Sequence, residues 1–483
     1  MPPANTTASE TIVPLAVDLD GTLIRSDMIW ESVARLLRKN PLSLLALPFW
    51  WARGRAHLKQ QLARRVQVDT TTLPYNEPLL TWLKEQKREG RRLVLATASD
   101  IAMARPVADH LGLFDEVLAS DGETNLRAHA KLDALTKRFG ERGFDYAGNS
   151  SVDLAVWGGS REAIVVNASQ ALAQRAARRA RVGKVLPTHD SKVAALVRCL
   201  RPHQWLKNLI VFVPVLTAHK LGDHTALSHA ALAFAAFCLC ACAVYVLNDL
   251  LDLDADRHHA TKRNRPFASG ALPLQFGLIA APVLLLAAMA LGSLLSAEFV
   301  AVVLLYFVLA GGYSLRLKQV AWLDVFVLAG LYTLRLVAGH VATGIAYSSW
   351  LLVFSMFVFL SLALLKRFLE LHSLRQQNLH EAKGRGYMAG DLELVTTLGL
   401  VSGYLAVLVL ALYVNSPQVQ KLYAHPLGLL LVCPLLLFWV SRVWFRAHRG
   451  QMPDDPVAFA VRDWVGYAVG ALTLVVMWLA TGH

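Results

Sequence analysis

Two patterns of apolar and polar positions divide the chain near residue 200. Before it, short β-rich apolar runs (Ile12–Val17, Arg92–Ala96, Val117–Ala119, Tyr146–Ala147 and Ala163–Val166) alternate with charged stretches of helical spacing. That alternation predicts βαβ units around a parallel sheet over residues 1–190, with a small helical cap over about 24–88. Beyond it, apolar runs of bilayer-crossing length follow one another at 205–221, 228–247, 273–295, 297–314, 322–341, 349–366, 393–413, 425–442 and 461–480, predicting about nine helices in an all-α membrane domain over 205–483. The joining segment, 191–204, lies in a stretch that opens with Pro187-Thr188-His189-Asp190 and then spaces Val193, Leu196 and Val197 as an interfacial amphipathic helix would.

Composition agrees with a membrane protein. Of 483 residues, 55% are hydrophobic, and the mean hydropathy is +0.41, above the soluble range. The net charge of +13 reads as cytoplasmic loops facing anionic headgroups rather than as a nucleic-acid surface. The basic residues fall on alternate loops: Arg257, Lys262, Arg263 and Arg265; Arg316 and Lys318; Lys366, Arg367, Arg375, Lys383 and Arg385; and Arg442, Arg446 and Arg449. The intervening loops, His340–Ser349 and Asn415–His425, are nearly free of them. This places the N-terminal domain inside and His483 outside. Met1–Glu10 is polar and lacks a signal-peptide core. None of the five cysteines forms a metal-type pair, and Cys238, Cys240 and Cys242 sit in an apolar run.

The densest candidate chemistry is Asn248-Asp249-Leu250-Leu251-Asp252-Leu253-Asp254-Ala255-Asp256-Arg257, which precedes the basic segment Lys262-Arg263-Asn264-Arg265-Pro266. On a helix Asp249, Asp252 and Asp256 share one face. Carboxylates so close repel unless a cation joins them, and a hard divalent cation such as Mg²⁺ takes oxygen ligands. The pattern suits a magnesium-bridged diphosphate; the plainer alternative is a solvated, charged helix end.

In the first half, Asp18-Leu19-Asp20-Gly21-Thr22 follows an apolar strand. A carboxylate at a strand's C-terminal end can attack a phosphoryl group, with a second carboxylate two residues on as acid and base. This run resembles the first motif of the haloacid dehalogenase (HAD) superfamily. Thr97 resembles its phosphate-holding hydroxyl, Lys131 its motif-three lysine, and Gly148-Asn149-Ser150-Ser151-Val152-Asp153 its acidic magnesium motif. The resemblance covers about residues 12–185. It implies a Rossmann-like α/β phosphatase domain with catalytic Asp18, Asp20, Thr97 and Lys131, and a magnesium site of Asp18, Asp20, Asn149 and Asp153. Asn149 departs from the family's usual Gly-Asp: its carbonyl can ligate magnesium but brings no charge, so either Asp153 compensates or activity is weakened. A HAD fold serving only as a scaffold is the alternative.

Within the cap, Leu42-Ser43-Leu44-Leu45-Ala46-Leu47-Pro48-Phe49-Trp50-Trp51 is too short to span a bilayer and is followed by Arg53, Arg55, His57 and Lys59. An interfacial helix that admits a lipid-linked phosphate and ordinary packing beneath the cap both fit this run.

The second half resembles the UbiA superfamily of intramembrane transferases, through the Asp-rich motif and its preceding helix. Their second Asp-rich motif is replaced here by Leu365-Lys366-Arg367-Phe368-Leu369-Glu370 through Gly384-Arg385-Gly386-Tyr387, which has no Asp-x-x-x-Asp. Arg201–Asn208, Arg263–Gly270, Tyr313–Lys318 and Lys366-Arg367-x-x-Glu370 together look like the polyprenyl-phosphate phosphoribosyltransferase branch. That resemblance implies phosphoribosyl pyrophosphate (PRPP) as donor and polyprenyl phosphate as acceptor. Asp249, Asp252 and Asp256 would hold the diphosphate as catalytic and metal residues. Lys207, Asn208, Asn248, Lys262, Arg263, Arg265, Tyr313, Lys318, Arg335, Lys366, Arg367 and Glu370 would bind substrate. Arg335, roughly 16 Å into its helix, is expected to face a substrate or a carboxylate partner rather than to snorkel; Asp324 is either a supporting carboxylate or an N-cap. His258 and His259, as neighbours, do not share a helix face and fit a charged loop better than a metal site.

Joined on one chain, the two resemblances imply consecutive steps in a bacterial inner-membrane enzyme serving cell-envelope glycan synthesis. Phosphoribose is transferred to the lipid, and its 5-phosphate is then removed. The rivals are a prenyltransferase with an aromatic acceptor, and a transferase carrying an inactive HAD domain.

Overall fold

The computed structural model describes residues 13–121, 124–187, 191–377, 385–453, 456, 459 and 462–482. Met1–Glu10, Thr188–Asp190, Lys383 and His483 lie outside the described residues. Packing divides the chain into two units: the residues up to Leu200 with Tyr245–Ala280, and Arg201–Val244 with Ala281–His483.

The first unit holds a parallel sheet ordered β3-β2-β1-β4-β5-β6, with strands β1 Leu15–Val17, β2 Leu93–Asp100, β3 Glu116–Ser120, β4 Asp145–Gly148, β5 Glu162–Val166 and β6 Arg181–Leu186. The five predicted strands are present. The sixth, an edge strand, is hidden in the sequence because Arg181, Gly183 and Lys184 interrupt its apolar residues. β1 is fully buried and pairs with β2 and β4 on either side. The cap between β1 and β2 is helical, as expected. Helix α1 (Met28–Lys39) is capped by the Asp27 carboxylate, which accepts from the Ile29 amide. A 3₁₀ turn over Pro41–Ala46, α2 (Leu47–Ala52) and α3 (Arg55–Arg65) follow, and Glu77–Arg88 returns the chain to β2.

The sequence boundary at 190 does not follow the packing, because Tyr245–Ala280 belongs with the α/β domain. Three contacts explain this. Glu31 on α1 is fully buried and takes both terminal nitrogens of Arg257, at 2.7 and 2.9 Å. Arg35 adds a bond to Glu31 at 2.6 Å and one to Asp254 at 2.6 Å. Gly270, at φ +73, lies so close to Arg25 that a Cβ there would stand 2.6 Å from the Arg25 Cβ. Leu278, in the helix Leu274–Ser293, also packs against the domain's main hydrophobic cluster.

Among the described residues seven helices are long and apolar enough to cross a membrane: His224–Leu251, Leu274–Ser293, Ala297–Leu315, Leu323–Thr343, Ser349–Gln376, Ala389–Val414 and Pro426–His448. Two of the nine predicted spans take other forms. The run 205–221 is a 3₁₀ stretch, Pro202–Phe212, followed by the five-residue helix Val213–Thr217, with Pro202 and Pro214 each withdrawing a backbone donor. The last is Trp464–Ala480, at 17 residues about 26 Å long, short of a hydrocarbon core of about 30 Å. In the second unit one hydrophobic cluster gathers Val211, Phe237, Phe299 and Tyr306, and another Leu364, Phe368 and Trp444. The predicted linker helix is present as Lys192–Leu200, with Val193 and Val197 exposed.

Candidate active sites

The strand registers assemble the phosphatase-like pocket. Val17 pairs with Leu95 and with Ala147, so Asp18 and Asp20 beyond β1 and Asn149 beyond β4 stand beside Thr97 in the C-terminal half of β2, at the edge where open α/β sheets hold their ligands. Lys131 donates to Asp18 Oδ1 at 2.6 Å and to the Tyr146 hydroxyl at 2.8 Å. Tyr146 in turn donates to Asp153 Oδ1 at 2.9 Å. Asp20 accepts from the Met28 amide at 2.8 Å and from the Ser99 hydroxyl at 2.7 Å. Thr97 is fully buried and its hydroxyl accepts from the Ser99 amide. Gly21, at φ +75, leaves room for the Asn149 side chain, whose nitrogen would stand 2.1 Å from a Cβ there.

Burial raises the Asp18 carboxyl to about 7 against the pull of Lys131, with Asp153 and Asp20 adding repulsion. Burial and the Asp27 charge raise Asp20 likewise to about 7. A pocket whose carboxylates resist ionisation is short of positive charge, and its oxygen donors suit a hard cation. Asp153 serves a different purpose: its Oδ2 accepts from the Asn149 amide, the Ser150 amide and the Ser150 hydroxyl, at 2.8–3.1 Å. It shapes the loop that carries Asn149, beside Asp18 and Asp20.

In the membrane-side segment the hydrogen bonds Asp252 N to Asn248 O and Asp256 N to Asp252 O, both 2.8 Å, carry helical geometry past the break at Asp252. Asp249 and Asp256, two of the three carboxylates expected on one face, therefore stand together, and one Arg265 nitrogen bridges them at 3.1 and 2.7 Å. Burial raises the Asp256 carboxyl to about 6; Arg265 opposes this and the Asp249 and Asp252 charges reinforce it. Asn248 is half-buried on the same turn, whereas Lys262 and Arg263 are exposed. His258 is exposed beside Asp69. Among the described residues no three His, Cys, Asp or Glu side chains converge as a metal-holding group.

In the second unit two polar groups form. Asp324 is fully buried, accepts from the Tyr387 hydroxyl at 2.6 Å and pairs with Arg367 Nε at 2.7 Å. Arg367 also pairs with Glu370 and donates to the Tyr313 hydroxyl at 3.3 Å. Arg385 pairs with Glu370 at 2.9 Å and also donates to Tyr313 at 3.3 Å. Asp324 thus proves a supporting carboxylate; the residue capping its helix is Trp322. Lys318 and Lys366 are half-buried. In the other group, buried Arg335 donates to Asn208 Oδ1, the Leu331 carbonyl and the Tyr306 hydroxyl at 2.7–2.8 Å and lies over the Tyr306 and Tyr332 rings. Its polar partner is the 3₁₀ run, through Asn208; half-buried Lys207 precedes it.

Sequence reasoning missed three functional groups. Lys59, on α3, is buried and reaches the Ala98 carbonyl and Asn125 Oδ1, so a cap cation stands beside Thr97 and Ser99. Arg385 reads in sequence as one more loop charge. The Arg35–Glu31–Arg257 triad leaves no trace, because Arg257 lies 226 positions from Glu31.

A family model described as the UbiA prenyltransferase family matches residues 209–460, and one described as haloacid dehalogenase-like hydrolase matches residues 15–156. The chain belongs to the UbiA prenyltransferase family and carries a haloacid dehalogenase-like hydrolase domain ahead of the membrane helices. It is 38% identical to protein y4nM of Sinorhizobium fredii over 95% of this chain and 89% of that one. It is 36% identical to the nodulation protein NoeC of Azorhizobium caulinodans over 56% of this chain and 89% of that one. Decaprenyl-phosphate phosphoribosyltransferase of Mycobacterium tuberculosis is 38% identical over 37% of this chain and 61% of its own length.

Proposed function

We propose that the chain transfers 5-phosphoribose from PRPP to a polyprenyl phosphate and then removes the 5-phosphate, yielding polyprenyl-phosphoryl ribose. The observation that carries this reading is the Asp249–Asp256 pair held on one face by Arg265, in a chain whose second acidic motif is replaced by Lys366-Arg367-x-x-Glu370. One acidic and one basic cluster suit a donor with a diphosphate at C1 and a further phosphate at C5. The name of the mycobacterial relative supports the same class. The acceptor phosphate oxygen attacks C1 as the C1–O bond to diphosphate breaks. Magnesium on Asp249, Asp252 and Asp256 would neutralise the leaving diphosphate, and Arg265 can turn from its carboxylates to the same oxygens. Lys366, Arg367 and Lys318 are the candidates for the 5-phosphate. Lys207, with Arg263 or Arg265, is the candidate for the acceptor phosphate.

In the hydrolase domain Asp18 attacks phosphorus and the P–O5 bond breaks. Asp20, held by the Met28 amide and the Ser99 hydroxyl, protonates the departing oxygen and then takes a proton from the water that attacks phosphorus as the Asp18 O–P bond breaks, releasing phosphate. Lys131 and Lys59 offset the charge of the transferring group. Magnesium held by Asp18, Asp20 and Asn149 would screen the attacking carboxylate from the phosphate. A scaffold reading of this domain is favoured by one observation, the uncharged Asn149 where a carboxylate is usual. We place both sites on the cytoplasmic side of a bacterial inner membrane, a reading that the basic loops support.

Purified protein given labelled PRPP and polyprenyl phosphate should yield lipid-extractable label, lost in Asp249→Ala. Conversion of an isoprenyl diphosphate with an aromatic acceptor instead would overturn the reading. Phosphate release absent in wild type as in Asp18→Asn would leave the HAD domain a scaffold.

A further inference from the structure

We propose that Pro41–Ala52, the 3₁₀ turn and α2 of the cap, lies in the headgroup layer of an anionic bilayer and anchors the hydrolase domain there. The segment has two faces. Leu44, Leu47 and Trp50 pack against the domain's hydrophobic cluster. Leu42, Leu45, Phe49 and Trp51 point away, exposed by 75%, 72%, 73% and 53%. Four large apolar side chains on one 12-residue run form the contiguous patch that marks an interaction surface. The run is too short to cross a bilayer and has the Trp-rich apolar face of an interfacial helix.

Charge identifies the occupant. From Glu31 to Asp69 the intervening residues include eight Lys and Arg and no carboxylate. Arg38, Lys39, Arg53, Arg55, Arg64 and Arg65 are exposed, and Arg55 lies over the Trp51 ring at 5.3 Å. Such a collar matches anionic headgroups. The bilayer is also at hand within the same packing unit, which includes the end of His224–Leu251 and the start of Leu274–Ser293. Leu278, near the start of the second of these helices, joins the very cluster that receives Leu44, Leu47 and Trp50. The apolar core under the segment therefore continues onto a membrane-crossing helix near its entrance.

The anchor has a consequence for substrate class, resting on the phosphatase reading above. Helix α3 follows α2 after only two residues and delivers Lys59 to the Ala98 carbonyl in the hydrolase pocket. A headgroup-seated α2 fixes the helix that lines the pocket, so the pocket faces phosphomonoesters presented at the membrane surface.

The anchor is tested without any activity. Spin labels at Leu45→Cys or Phe49→Cys, in a full-length chain with its native cysteines replaced and held in phosphatidylglycerol nanodiscs, should collide with oxygen far more than with a water-soluble nickel reagent. They should resemble Leu286→Cys on a membrane helix and differ from Glu141→Cys on the hydrolase surface. Paired Arg53→Glu and Arg55→Glu substitutions should return the labels toward the Glu141 behaviour. Labels as nickel-accessible as Glu141, or shielded from both reagents as under a protein partner, overturn the proposal. The unsubstituted chain gives a second measurement: photoactivatable phosphatidylglycerol should cross-link within residues 41–52. Cross-links confined to the membrane helices overturn it. If the labels sit in lipid yet no phosphate is released from any monoester, the anchor stands and only the phosphatase reading fails.

Discussion

The two buried charge clusters of this chain are in opposite electrostatic states. In the hydrolase pocket Asp18, Asp20, Asp27 and Asp153 face Lys131 and Lys59, and burial lifts Asp18 and Asp20 to about 7. In the membrane unit Asp324 and Glu370 are matched by Arg367 and Arg385, with tyrosine hydroxyls filling the remaining valences. Surplus carboxylate is tolerated only where a proton or cation can arrive, and there the charge is available for chemistry. A balanced network has nothing to gain from a further ion and holds a shape instead. The Arg35–Glu31–Arg257 triad is of the second kind.

The sharpest way to break this contrast is to neutralise one carboxylate in each cluster. Asp18→Asn should lower phosphate release by about 10³-fold or more, since it removes the nucleophile, while leaving thermal unfolding nearly unchanged because it relieves crowded charge. Asp324→Asn should do the reverse, leaving Arg367 buried without its full counter-charge and destabilising the fold by about 3–5 kcal/mol. Phosphate assays and thermal unfolding of both variants decide it; equal behaviour would erase the distinction.

The triad offers a test with a defined pH window. Burial pushes the Glu31 carboxyl up, but Arg257 and then Arg35 overcome it and leave it at about 2, from an ordinary 4.5. A depressed carboxylate contributes stability that is complete above the unfolded value and is lost as pH falls through the folded one. The contribution of about 3 kcal/mol should therefore be full above about pH 5 and decline between about 4.5 and 2. Glu31→Gln should flatten that part of the stability profile and lower stability at neutral pH. Replacing Glu31, Arg35 and Arg257 together by apolar residues should cost less than the single change, because no unpaired charge remains. Thermal melts across pH, read by the near-ultraviolet signal of the hydrolase domain, measure both.

What the sequence revealed follows from what each feature depends on. Asp18, Thr97, Lys131 and the Asp249–Asp256 spacing are local patterns on strands and helices, and local periodicity is enough to set them on those elements. The sheet and the long apolar helices are legible for the same reason. Lys59, Arg385 and the Glu31–Arg257 pair depend on which distant elements touch, and no spacing encodes that. Two of the nine expected spans differ for local reasons: Pro202 and Pro214 interrupt a regular helix over 205–221, and the last run forms a helix of 17 residues. Asp153 carries a detail that no spacing encodes: its Oδ2 accepts from the Ser150 amide and hydroxyl as well as standing at its motif position.

The smallest effect expected is also the one that most finely grades the surplus-charge idea. Asn149 covers Gly21 and presents an amide where one more carboxylate would complete the acidic set. Asn149→Asp adds negative charge to a pocket already short of cations, so without metal it should lower thermal stability slightly. With magnesium the added charge strengthens cation binding, so half-maximal phosphate release should need roughly tenfold less magnesium. The two signs must appear together. A variant stabilised without metal, or one whose magnesium requirement is unchanged, would mean that Lys131 and Lys59 already balance the pocket and that its chemistry has no place for another charge.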